Sequence, residues 1–409
     1  MRNIYDIRKE KNYIYIFSDE TKGVADIANE KIAVVINLYY EDTLELFAKY
    51  INCIPKTIDV FVFSSDKNVR DIIKKMLKRE AVVLHKNNQG RDVSALLIGF
   101  QTYYKKYKYI CFLHDKKEKN SRKREDTRCW INNLLSNMIN SGNYIRSIIG
   151  MFLENQNIGL AIPPEPFGNY INAWYSDAWE GNFENTEKLV DRLNLKCDID
   201  KSKSPLAIST AFWARTDAIR KMFEYEWSYH DFPEEPMPGD GTISHAIERI
   251  WGFLAQDAGY DVVTVMTQEY AKWELLTAQD ASKIMFGLLQ KEFGVHNLLE
   301  VSTYESRMGN IEDFIKKNNK VYLYGAGKYG RDLLKALKNR GFSLNGFCVS
   351  NLNCCDNDIV DGLCVYNFVE IIKEKNVGII VSTDYTFYDE IVKNMKKYDF
   401  DNYILAYYE

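Results

Sequence analysis

From Lys31 onward, apolar residues come either in short unbroken runs or at intervals of three and four. Lys31–Asn37 (KIAVVIN), Asp59–Ser64 (DVFVFS), Ala81–His85 (AVVLH) and Tyr109–Leu113 (YICFL) are of the first kind. They read as strands of a parallel sheet covered on both faces, which have no wet side and so need no alternation. Between them, Glu41–Tyr50 sets Leu44, Phe47 and Ala48 at helical spacing, and Val69–Lys78 and Leu96–Tyr107 read as further helices. Strand and helix in alternation predict an open, doubly wound α/β sheet. Each strand ends in polar residues, and in such sheets ligands sit at the carboxyl ends of the strands.

A second alternation starts near Ile311. Ile311–Asn319 is a short helix, Val321–Tyr324 a buried strand, Arg331–Asn339 an amphipathic helix, and Leu344–Val349 and Val377–Ser382 further strands. The expected boundary lies at 295–310, dividing the chain into 1–300 and a smaller Rossmann-like parallel α/β domain, 301–409. All eight prolines lie at or before Pro238. Gly325-Ala326-Gly327-Lys328-Tyr329-Gly330 fits GxGxxG between strand and helix, the context of a dinucleotide fingerprint. The acid expected about 20 residues later is replaced by Val349-Ser350-Asn351, so a nicotinamide dinucleotide loses its ribose partner. An interaction or regulatory module, with a surface for homodimer formation, is favoured over nucleotide binding.

The 409 residues suit two domains or three. With 53 basic and 57 acidic residues the net charge is −4, which argues against a nucleic-acid partner. Aromatic residues make up 14%, a surplus that suits sugar stacking but also fits a compositional bias toward Tyr. The eight cysteines show no zinc-like spacing, and Cys111, inside a strand, behaves as a small hydrophobe. The amino terminus is too charged for a signal peptide, and no apolar run reaches the ~20 residues of a membrane span. The expectation is a cytoplasmic, reduced protein. The basic run KEKNSRKREDTR (117–128) reads as a solvated loop that could close over an anionic ligand or touch the inner face of the cell membrane.

Four polar or aromatic clusters fall where chemistry is expected. Asn88-Gln89-Gly90-Arg91-Asp92 follows the third strand and places Arg91 and Asp92 near an anionic ligand, or else makes Asp92 a helix cap. His114-Asp115-Lys116-Lys117-Glu118 ends the fourth strand; Asp115 could hold Mg²⁺ or Mn²⁺, or the lysines could neutralise a diphosphate directly. Trp174, Tyr175 and Trp179 cannot all face one helical core, so at least one is expected to be exposed as a saccharide platform, or else they pack under a loop. Phe232–Arg249 is a Pro/Gly-rich loop running into a helix. Asp240 there is an N-cap, held ionised by helix amides, or a base; Glu234 and Glu235 are substitute bases. His245 and Glu248 share a face that could turn to the cleft.

NNQGRD, FLHDKKE, the SxxFWAR run Ser209–Arg215 and GDGTISHAIER, in this order over roughly 31–270, resemble the rhamnan synthesis protein F family. The resemblance implies a GT-A-like glycosyltransferase of bacterial cell-surface polysaccharide (cell wall, capsule or O-antigen) using a nucleotide-diphosphate sugar. Rhamnose or galactofuranose is the favoured sugar, and a lipid-linked oligosaccharide or glycan the acceptor. Carried over by position, Tyr39 and Asp66 border the nucleoside. Asn88, Gly90, Arg91, Asp92, His114, Asp115, Lys116 and Lys117 bind the donor. Asp240, Glu234 or Glu235 takes the acceptor proton, and Trp174, Tyr175, Trp179 and His245 grip the acceptor. HDKK stands in place of the usual Asp-x-Asp, which puts the Mg or Mn requirement in doubt. Competing readings are a non-catalytic sugar-binding scaffold of a polysaccharide assembly complex and an NAD-dependent sugar-modifying enzyme.

Overall fold

The computed structural model describes residues 13–18, 25–117, 124–164, 179–197, 199–203, 205, 210–293, 298–351 and 359–407, with the side chains of 124–129, 292–293 and 298–305 left out. The chain folds as two compact units, Met1–Glu274 and Leu275–Glu409.

In the first unit the strands are β1 (Ile14–Phe17), β2 (Ile32–Asn37), β3 (Asp59–Ser64), β4 (Val82–His85), β5 (Tyr109–His114), β6 (Ile158–Ile162), β7 (Phe212–Arg215) and β8 (Asp261–Thr267). They form one sheet in the order β1-β8-β6-β7-β5-β2-β3-β4. All neighbours are parallel except β7, which runs against both β5 and β6. The α/β class expected from the alternating pattern is the class observed. The chain leaves β2 toward β3 on one side, and β5 returns to its other side, so a topological switch point opens at the carboxyl end of β2.

Period-two alternation sends the strand side chains to two cores. Ala33, Val35, Phe61, Phe63, Ile110 and Phe112 point one way, while Val34, Ile36, Val60, Val62, Cys111 and Leu113 point the other. Each fully buried aliphatic or aromatic side chain adds about 1.5–3 kcal/mol, which is why unbroken apolar runs are stable only in this doubly covered setting. Cys111 is fully buried, and burial pushes its thiol up, as befits an inert packing residue. The FWAR run is β7 itself. Arg215 is buried there, its guanidinium over the Tyr109 and Phe152 rings and bonded to the Ile158 carbonyl at 2.8 Å, a scaffold role.

The helices of this unit are α1 (Leu44–Ile51), α2 (Lys67–Met76), α3 (Arg91–Ser94), α4 (Arg124–Ile139), α5 (Gly142–Glu154), α6 (Phe183–Arg192), α7 (Arg220–Glu224) and α8 (Ile243–Asp257). The continuous helix expected at Leu96–Tyr107 is not there. Helix α3 starts five residues earlier, widens into a π turn at Ala95–Gly99, and only a single 3₁₀ turn follows at Tyr104–Lys106. Stacking overrides the helical period. Phe61 packs against Phe100, Tyr103 and Tyr107 at 4.9–5.9 Å between centroids, which needs rings on an irregular turn.

The second unit contains the helices α9 (Gln268–Phe293, from Leu275 on), α10 (Leu298–Lys317), α11 (Lys328–Asn339), α12 (Phe368–Ile371) and α13 (Tyr388–Lys396). Its strands are β9 (Lys320–Tyr324), β10 (Gly346–Val349), β11 (Ile359–Val360), β12 (Leu363–Asn367), β13 (Val377–Val381) and β14 (Tyr403–Leu405). They form a second sheet in the order β11-β12-β10-β9-β13-β14, parallel apart from the β11–β12 pair. The GAGKYG turn joins β9 to α11 at that sheet's own switch point. Gly330 lies so close to the turn that a Cβ there would stand 1.9 Å from the Gly325 carbonyl oxygen.

Candidate functional site

Three of the four predicted clusters meet at the carboxyl ends of β2, β4 and β5 and the loop that leads into α8. Asp115 is the most tightly held member. Its carboxylate accepts the Tyr39 amide through both oxygens (3.1 and 2.9 Å), the Tyr40 amide (2.8 Å) and the Thr43 hydroxyl (2.9 Å). Burial raises this carboxyl, and the hydrogen bonds from Tyr40, Tyr39 and Thr43 oppose the rise. A carboxylate occupied in this way does not fit a metal ligand. Among the described residues no cluster of three His, Cys, Asp or Glu is placed to hold a metal ion. Lys116 and Lys117 project from the same strand end and are exposed, Lys116 over the Trp130 ring at 4.7 Å and Lys117 beside Asp42 at 2.8 Å. Tyr39 is exposed and meets Tyr40 edge to face. Asp66 caps α2 by accepting the Asn68 amide at 2.7 Å, so its part in the site is confined to the rim of β3.

The β4–α3 turn carries the second cluster. Gly90 (φ +74°) and Arg91 (φ +43°) are both left-handed. A Cβ on Gly90 would also stand 2.8 Å from the Phe232 ring, so two independent constraints select glycine. Gly90, and not Asp92, is the residue before the helix, and it caps nothing with a side chain. Lys86, which carries no signal in the sequence, is buried beneath this turn. Its ammonium donates to the carbonyls of Asn87 and Arg91 and to the Ser94 hydroxyl. Burial lowers its pKa to about 8 against the pull of Asp92 and Glu235. Asn88 accepts the Ser65 hydroxyl, and Gln89 donates to the Phe232 carbonyl at 2.8 Å, tying the turn to the opposite loop. Arg91 crosses the same gap to Glu235, with contacts of 3.0 and 3.4 Å. Burial raises the Glu235 carboxyl, but the bonds from Arg91 and the Met237 amide outweigh it and hold the group below the usual carboxylate range.

Asp92 faces His114. Its Oδ2 is buried with no hydrogen-bond partner and lies 3.8 Å from His114 Nε2, while His114 Nδ1 stands 3.1 Å from the Asp115 carbonyl oxygen. Asn37, beside His114 in the β2–β5 register, likewise has a buried Oδ1 without a partner. Such atoms cost about 1–3 kcal/mol each unless a donor meets them.

The α8 side departs from expectation in one respect. Its N-cap is Thr242, boxed with His245 (Oγ1 to Nδ1 2.8 Å), and not Asp240. Asp240 therefore does not cap the helix. Asp240 is exposed and accepts the Asn182 side-chain amide at 2.6 Å, while Glu234 is exposed on the loop. Burial lowers the His245 pKa, with Asp240 raising it. Glu248, to which the sequence assigned a face but no role, lies one turn beyond His245. Desolvation first, then the Asp92 charge, pushes its carboxyl up to about 7. Trp179 requires a correction: it is 3% exposed, packs on Phe183 and Phe253, and donates to the Lys203 carbonyl, so it has no open face for a glycan. Trp174, Tyr175 and Glu118 lie outside the described residues.

The family model for rhamnan synthesis protein F matches residues 3–260, which contain every residue of this cleft. The chain belongs to that family. Members of the rhamnan synthesis protein F family are thereby tied by description to rhamnan, a polysaccharide, and to its synthesis. Two relatives, each named uncharacterized protein WxcX, come from Xanthomonas campestris pv. campestris strains B100 and ATCC 33913. Each is 26% identical over 247 residues, 59% of this chain and 33% of theirs. The chain thus spans about a third of the length of the relatives it matches. No helix among the described residues is long and apolar enough to cross a membrane.

Proposed function

We propose that this family member is a GT-A-like glycosyltransferase, moving a sugar from a nucleotide diphosphate to a growing bacterial cell-surface polysaccharide. Rhamnose or galactofuranose is the favoured sugar, and a lipid-linked oligosaccharide or glycan the acceptor. One observation carries the reading: at the switch point inside the family match, cationic and polar side chains gather at the carboxyl ends of neighbouring strands. Arg91, Lys116 and Lys117 supply positive charge for a diphosphate. The polar side chains of Asp92, His114 and Asn37 lie at the same strand ends. The acceptor oxygen attacks the anomeric carbon and the bond from that carbon to the diphosphate oxygen breaks. The diphosphate leaves with the electron pair, and the hydroxyl proton passes to a carboxylate. Inversion at the anomeric carbon follows from this single displacement.

The test is calorimetry and thermal shift on the full chain with deoxythymidine-diphosphate rhamnose, uridine-diphosphate galactofuranose and NAD, each with and without Mn²⁺. Saturable binding of a nucleotide-diphosphate sugar, weakened by Lys116→Ala/Lys117→Ala, is the expected result. Binding of NAD alone would replace the reading with a nicotinamide-dependent sugar-modifying enzyme. No binding by any of the three would leave a polysaccharide-assembly scaffold.

A further inference from the structure

Helix α11 of the second unit carries its cations on one side. Lys328, Arg331, Lys335 and Lys338 recur at intervals of three and four and are all exposed. Leu333, Leu334, Ala336 and Leu337 are buried in the core of the unit. The four cations span roughly 15 Å of helix at 1.5 Å per residue. Together with Lys291, near the end of α9, they line an open cleft of about 570 Å³. Five cations there meet two carboxylates, Asp332 and Asp361. Asp361 braces the row: its carboxylate accepts Arg331 Nε at 3.0 Å and Nη2 at 3.1 Å, and its carbonyl accepts the Lys338 ammonium at 3.3 Å. The cleft keeps an excess of positive charge for which the transferase reading has no use.

Lys291 also belongs to a second surface. Leu288 and Ile284, three and seven residues before it, share its face of α9, and Met285 lies beside them. Ile284, Met285 and Leu288 are 66%, 61% and 55% exposed. An apolar stripe thus runs into a cationic cleft within one unit. We propose that this face docks on a membrane of anionic phospholipid. The cations take the headgroup phosphates, while Ile284, Met285 and Leu288 enter the apolar boundary beneath them. Charge complementarity and the apolar stripe select this occupant together. A free diphosphate or a nucleic acid would use the cations and leave the three apolar side chains in water. A second copy, packed stripe to stripe about a two-fold axis, would crowd the same cations against one another. The proposal is independent of the transferase reading and of the 117–128 run.

The experiment sediments the full chain with vesicles of phosphatidylcholine, either pure or carrying about 30% phosphatidylglycerol, at low and high salt. Wild type should partition into the anionic vesicles alone, and less so at high salt. Lys328→Ala/Lys335→Ala should weaken partition about 10- to 30-fold, and Ile284→Ser/Leu288→Ser about 10-fold. Lys393→Ala/Lys396→Ala, which removes two exposed lysines of α13, should stay within about threefold of wild type. Equal partition into both vesicle types, or none into the anionic ones, overturns the proposal. So does wild-type partition in either groove variant, or an equal loss in the α13 control. Two companion measurements cover the other occupants. If sedimentation equilibrium shows a dimer that Ile284→Ser/Leu288→Ser splits, and vesicles are ignored, the stripe is a self-contact. If inorganic diphosphate binds calorimetrically through Lys328 and Lys335, and vesicles are ignored, the cleft serves free phosphates; either result overturns membrane docking. Circular dichroism checks folding, and should one variant misfold, the wild-type contrast between vesicle types and the other variant decide.

Discussion

Holding the Glu248 carboxyl at near-neutral affinity costs the fold something, and that cost can be measured without any substrate. The perturbation is Glu248→Gln, which keeps shape and removes the titration. A carboxyl moved from an ordinary 4.5 to about 7 carries roughly 3 kcal/mol, at ~1.4 kcal/mol per pH unit. With the side chain 31% exposed, solvent screening reduces this to about 1–2 kcal/mol. Below pH 4.5 the carboxyl is protonated in folded and unfolded chains alike, so it imposes no penalty. As pH rises from 4.5 toward 7 the unfolded chain releases the proton and the folded chain keeps it, so stability falls; above about 7 the penalty is complete and constant. Wild type should therefore lose ground to Glu248→Gln between pH 5 and 8, by about 1–2 kcal/mol. All seven tryptophans precede Leu275, so urea unfolding followed by tryptophan fluorescence reports the unit that holds Glu248. A stability difference equal at pH 5 and pH 8, or a variant less stable than wild type at pH 8, would contradict a carboxyl raised by its surroundings.

Three further outcomes follow from the same geometry. Glu235→Gln releases Arg91 from its ion pair, so calorimetric affinity for a nucleoside diphosphate should rise about 3- to 10-fold at low salt; unchanged affinity would take Arg91 off the diphosphate path. Gly90→Ala must accept φ +74° and displace the Phe232 ring, at a cost of about 2–4 kcal/mol in urea unfolding, and wild-type stability would disprove the double constraint. Trp179→Ala should cost about 3–5 kcal/mol by cavity formation, whereas a glycan platform would show unchanged stability and weaker acceptor binding.

The sheet was legible in the sequence because doubly buried strands leave nothing polar to interrupt them: Asp59–Ser64 matches β3 end for end, and Ile32–Asn37 falls one residue inside its predicted run. The strand-end clusters were legible for the same reason, since polarity resumes where the sheet stops. What failed was whatever tertiary contact decides. The aromatic stack around Phe61 broke a helix that periodicity would have continued. Trp179 was buried by α8, through Phe253 some 70 positions away, which spacing within its own segment cannot show. Lys86 gave no signal, because one lysine after a strand looks the same whether it is solvated or lodged beneath a turn. Glu248 was visible as a position on a helix face, but its proton affinity depends first on burial and then on Asp92, both set by other parts of the chain.

Asp115 has a mechanical consequence. One carboxylate grips the backbone at Tyr39 and Tyr40 and the Thr43 hydroxyl, and Lys116 and Lys117 follow it directly in the chain. The aromatic lip and the cationic lip of the cleft are therefore two edges of a single stiff jaw, and neither can shift without dragging the other. The opposing jaw, Phe232–Thr242, meets the β4–α3 turn through the Gln89–Phe232 bond, the Arg91–Glu235 pair and the buried Phe232 ring beside Gly90. The strand-end side is thus braced from within, whereas the α8 side is anchored through the buried Phe232 ring packed on Gly90.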